Sequence, residues 1–155
     1  MSVIIRRTQE PEATILSGYS MCWLDFQKLA IAMSTALAAQ VAKEGPQPDA
    51  EYICEFDIWR FRLPRELREE TPIPRIIYAR KREKDEGTVG RNRVFFETRF
   101  IDTEDNLSVE DYPGMRVETD LDRNRRDKFI EFIEERVGFV ADKSRLEFQV
   151  LKYYV

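Results

Sequence analysis

Twenty-five lysines and arginines, 29 aspartates and glutamates, six tyrosines and two cysteines are the groups that could do chemistry in this 155-residue chain. Histidine is absent. Ser-His-Asp and Cys-His nucleophilic catalysis are therefore excluded, as is an imidazole general base. Two cysteines fall short of the four or so ligands a structural zinc site takes. Any catalysis would run on carboxylates, lysine, tyrosine or a hard cation such as Mg²⁺. The acidic run Asp102-Thr-Glu104-Asp-Asn106-Leu-Ser108-Val-Glu110 has the look of a calcium loop. However, Leu107 and Pro113 stand where that loop needs Gly and a bidentate Glu, so it reads as a solvated loop. Gly87-Thr-Val-Gly90 fits neither phosphate-binding fingerprint and reads as a hairpin turn.

Ser20 stands as N-cap of a helix from Met21 to Lys43, whose apolar residues Cys22, Phe26, Leu29, Ala30, Met33, Leu37 and Val41 recur at helical spacing. Gly45, Pro46 and Pro48 end it. Tyr52 to Leu63 reads as a strand: Tyr52, Cys54, Phe56 and Ile58 alternate with charges, then the phase switches to Trp59, Phe61 and Leu63. Arg75–Arg82 and Arg93–Ile101 give two more strands, joined as a hairpin through Glu83–Asn92. Pro113-Gly114 marks a turn, and Met115–Thr119 adds at most a short strand. Asp122 is the expected N-cap of a helix from Arg123 to Val137, with Gly138 as its C-cap, and Arg145–Tyr154 alternates as a last strand. Val3-Ile4-Ile5 and Thr14-Ile15-Leu16 supply an N-terminal strand of undecided place.

The expectation is one α+β domain over 1–155: an antiparallel or mixed sheet of four to six strands with two main helices, in the order (β)-α-β-β-β-α-β. That order is similar to the core of the restriction-endonuclease-like nucleases, which hold Mg²⁺ with an Asp and a Glu-x-Lys on adjacent strands. Glu97-Thr-Arg99 falls at the Glu-x-Lys position but has Arg for Lys, and the acid would have to come from Asp57 or Asp85. Cys22 and Cys54 read as buried, reduced thiols on apolar faces. With no signal-peptide core or membrane-length apolar run, the expected location is cytoplasmic, with no membrane partner.

Charge is uneven: Ile58–Ile101 carries twelve basic against seven acidic residues, and Asp102–Glu135 five against twelve. A basic sheet with interleaved aromatics would suit single-stranded nucleic acid, but the chain as a whole has formal charge −4. Arg123, Arg125 and Arg126 oppose the dipole of their own helix and call for anions: Glu118, Asp120 and Asp127 nearby, or a partner's. Trp59, Phe61, Leu63, Phe95, Leu151, Tyr153 and Val155 are out of phase with the first apolar face; Trp59, Phe61, Phe95 and Tyr153, with Arg60 and Arg62 near the rim, form the expected contact surface. The function expected is a non-enzymatic protein-binding or adaptor module without cofactor, acting as a homodimer. The alternative is a Mg²⁺-dependent nuclease or single-stranded nucleic-acid binder.

Overall fold

The computed structural model describes residues 13–63, 76–78 and 93–154. The elements among them are β1 (Ala13–Cys22), α1 (Trp23–Met33), α2 (Thr35–Glu44), α3 (Asp49–Arg62), β2 (Ile76–Tyr78), β3 (Arg93–Thr103), α4 (Asp120–Val137) and β4 (Glu147–Tyr154). The α+β class and an antiparallel sheet of four strands agree with expectation; the strand order in the sheet is β2-β3-β1-β4. The element order and the number of helices do not: the described elements run β-α-α-α-β-β-α-β.

Three differences have physical causes. The N-terminal strand of undecided place is β1, a central strand between β3 and β4. Its residues Ala13 to Met21 are all buried. With both faces covered it has no apolar–polar alternation to read. The single helix predicted over 21–43 is two helices. At Ser34 the backbone turns extended (φ −132°, ψ 110°), and the Ser34 hydroxyl accepts from Leu37 N at 3.1 Å, capping α2. The strand predicted over Tyr52–Leu63 is α3. Tyr52, Phe56, Trp59 and Leu63 follow i, i+4, i+7, i+11, and all four join one apolar cluster. The apparent change of strand phase is the 3.6-residue period sampled in steps of two. Asp49 and Glu51 in the first turn of α3, and Arg60 and Arg62 in the last, also match its dipole.

α4 begins three residues earlier than expected. Thr119 is its N-cap, and Asp122 is the third helical residue of a reciprocal capping box. Gly138 ends it in the left-handed conformation (φ 75°), as the sequence indicates. Pro113–Arg116 forms a 3-10 turn, in keeping with the turn expected at Pro113-Gly114, and Met115–Thr119 forms no strand. The helices share one core with one sheet face, contributed by Met21, Val94 and Phe96. A ring series runs through it, Trp23–Phe26 at 5.3 Å, Phe26–Phe56 at 5.5 Å, Phe56–Trp59 at 5.9 Å and Trp59–Phe132 at 6.0 Å, tying α1, α3 and α4 together. The opposite sheet face carries Leu16, Phe95 and Leu151, with Ile77 and Tyr153 against them.

β3 carries one extra residue against β1. Ser17 pairs with Arg99, but Gly18 pairs with Glu97, leaving Thr98 as the bulge. Gly18 fits this crossing because it has no Cβ, which would lie 2.0 Å from the Phe96 carbonyl oxygen and 2.8 Å from the Phe95 ring.

Candidate interaction surface

The bulge decides where the polar side chains of β3 point. Thr98 and Arg99, neighbours that strict alternation would send to opposite faces, both reach the same carboxylate. Thr98 Oγ1 donates to Asp122 Oδ1 at 2.6 Å and Arg99 Nε at 2.8 Å. Asp122 Oδ2 accepts from Thr119 N and Oγ1 at 2.8 and 2.9 Å. Burial alone would push the Asp122 carboxyl up, but the bonds from Arg99, Thr98 and Thr119 outweigh it and hold its pKa below the ordinary value. Beside it, the Tyr19 hydroxyl donates to Glu118 Oε2 at 2.8 Å. Burial and this bond raise the Tyr19 pKa well above its usual value, while Glu118 is lowered, first by Tyr19 and then by Arg123.

These groups answer the question of the α4 arginines. Arg123 pairs with Glu118 at 2.9 Å and with Asp120; Arg126 pairs with Asp127 at 3.0 Å and lies 5.0 Å from the Tyr19 ring centre. Arg125 donates to the Thr98 carbonyl at the bulge. Asp120 and Asp122 in the true first turn offset the misplaced charge. Arg123, Arg125 and Arg126 thus fasten α4 to the sheet and to their own helix end.

The segment between β3 and α4 is irregular and held by inward donors. Lys152, 1% exposed, gives its Nζ to the carbonyls of Asp105 (2.7 Å) and Leu107 (2.6 Å). Arg99 donates to the carbonyls of Gly114 and Val117, and Ser17 Oγ to that of Met115. Backbone acceptors that no helix or sheet uses are thereby satisfied. Lys152 and the Arg99–Asp122 pair escape a reading of the sequence. Thr119-x-x-Asp122 was the visible signal, a capping-box spacing one cap earlier than Asp122 itself.

The residues expected to form a contact surface are dispersed. Trp59 packs into the helical core, Phe95 is fully buried on the opposite sheet face, and Tyr153 is half-buried beside it. Phe61 and Arg62 are exposed at the end of α3, with Phe61 69% accessible and the Arg60 guanidinium 5.9 Å from its ring centre. Asp57 lies on α3, so the strand that was to carry it beside Glu97 does not exist; Asp85 lies outside the described residues. Cys22 ends β1 half-buried and Cys54 is exposed on α3, correcting the expectation of two buried thiols; both are free. A cleft of about 180 Å³ between α1 and residues 139–146 holds the Asp25–Arg145 pair (3.2 Å). That is smaller than the usual small-molecule pocket. Among the described residues no three His, Cys, Asp or Glu gather as a metal site, and no helix is long and apolar enough to cross a membrane.

No protein-family model, curated protein or solved structure matches the chain.

Proposed function

We propose that the protein is a non-enzymatic protein-binding module that self-associates through the C-terminal end of α3. The observation that carries this reading is Phe61: a large aromatic ring, 69% exposed on a regular helix, between two arginines. Aromatic rings rimmed by arginine are the residue types that dominate interface energetics. The other predicted contact residues are occupied in packing the fold, which leaves Arg60, Phe61 and Arg62 as the surface available to a partner.

Light scattering over a dilution series tests it. The wild type should show a mass above that of one chain at high concentration, and Phe61→Glu should be monomeric with an unchanged circular dichroism spectrum. A wild type that is monomeric throughout contradicts self-association. Arg60, Phe61 and Arg62 could also stack on a single-stranded nucleic acid. Binding of a labelled oligonucleotide that Phe61→Glu abolishes would favour that reading instead.

A further inference from the structure

We infer that the partner surface is α3 of a second copy, packed antiparallel about a twofold axis; this rests on the self-association proposed above. The exposed side of α3 is a narrow stripe. Opposite the buried Tyr52 and Phe56 and the half-buried Trp59 stand Ala50, Cys54 and Phe61, all exposed, spaced 4 and 7 residues apart. Such spacing is that of a helix-pairing seam, with small residues at one end and the large ring at the other.

Turning a second helix antiparallel lays each Phe61 over the partner's Ala50, where the small side chain leaves room for the ring. The charges then fall into register. α3 is acidic in its first turn (Asp49, Glu51) and basic in its last (Arg60, Arg62). Glu51 and Arg62 lie on one flank of the stripe, and Asp49 and Arg60 on the other. A twofold axis perpendicular to both helices maps each flank onto itself, so Arg62 meets the partner's Glu51 and Arg60 meets the partner's Asp49. A parallel arrangement would place like charges together. The contact is isologous and closes at two copies. One helix pair buries less than the roughly 1,200 Å² of a standard interface, so the dimer is weak, concentration-dependent and sensitive to salt.

Charge reversal separates this arrangement from self-association in general. Glu51→Arg, Arg62→Glu and the double variant, all at exposed positions, are compared with the wild type by sedimentation velocity at low salt. Each single variant should weaken the dimer about fivefold or more, because the two symmetry-related Glu51–Arg62 contacts on that one flank both turn from attraction to repulsion. The double variant restores both pairs with inverted sign and should return to within about twofold of the wild type, since only the local charges are exchanged. If the wild type and all three charge variants dimerise alike while Phe61→Glu does not, Phe61 is still the contact but the antiparallel α3 pair is wrong. Single variants that weaken the dimer without recovery in the double overturn it as well.

Discussion

Arg99 reaches Asp122 at 2.8 Å because Thr98, the residue before it, is an extra residue in β3. Without the bulge, Arg99 would point to the opposite face and Asp122, with no exposed side-chain surface, would hold a buried charge without its cation.

Asp122 is therefore expected to be among the most costly positions in the chain. Asp122→Ala should lower unfolding stability by about 3–5 kcal/mol, because Arg99 loses its partner and the α4 cap is lost with it. Urea denaturation measures this, and a double-mutant cycle with Arg99→Ala should show coupling of about 1 kcal/mol or more. A loss below about 1 kcal/mol would mean that solvent replaces the carboxylate easily.

Stability should fall at both ends of the pH scale. Asp122, Glu118 and Asp127 have pKa values below the ordinary one in the folded protein. Groups lowered in this way contribute stability above their unfolded pKa of about 4, and it is lost as pH falls further. Tyr19 is raised, so its contribution is complete below its unfolded pKa of about 10 and is lost as pH rises above that. Urea midpoints from acid to alkali should show a plateau bounded by these two declines. Tyr19→Phe should remove part of the alkaline decline, and an unchanged alkaline limb would exclude Tyr19 as its source.

Gly18→Ala should destabilise by about 3 kcal/mol or more, since the new Cβ meets a backbone carbonyl that a side-chain rotation cannot move. Thermal unfolding checks it. A near-native midpoint would show that β3 can shift away from β1 at the bulge.

How much of this was legible in the sequence depends on how many faces each element buries. β3, β4 and α4 each left a periodic trace and were found to within a few residues. β1, buried on both sides and built of Ser, Gly and Thr among its apolar residues, left none. α3 was misread because its aromatic and branched residues favour strands locally, whereas burial of Tyr52, Phe56 and Trp59 against α1 and α4 decided for a helix. The neutralisation of Arg123 and Arg126 by Glu118, Asp120 and Asp127 was readable from short spacings. The role of Arg99 was not, because a bulge reverses which face a side chain takes. Of the residues grouped by strand alternation, Phe61 and Arg62 are exposed and Arg60 half-buried at the end of α3, whereas Trp59 and Phe95 pack within the fold.

The helical reading of α3 has its own check. Phe56→Ala should cost about 3–5 kcal/mol as a fully buried ring. Phe61→Ala should change stability by less than about 0.5 kcal/mol. Equal losses at both positions would restore a two-sided burial for this segment.

Phe61 itself gives the most direct test of the central claim. With para-fluorophenylalanine placed at this position alone, the fluorine resonance reports whether the ring is in water or in a contact. On concentrating the protein, the resonance should move and broaden with a saturable dependence, and the change should reverse in high salt. A resonance that keeps one position and width across the whole concentration range would contradict self-association through the end of α3.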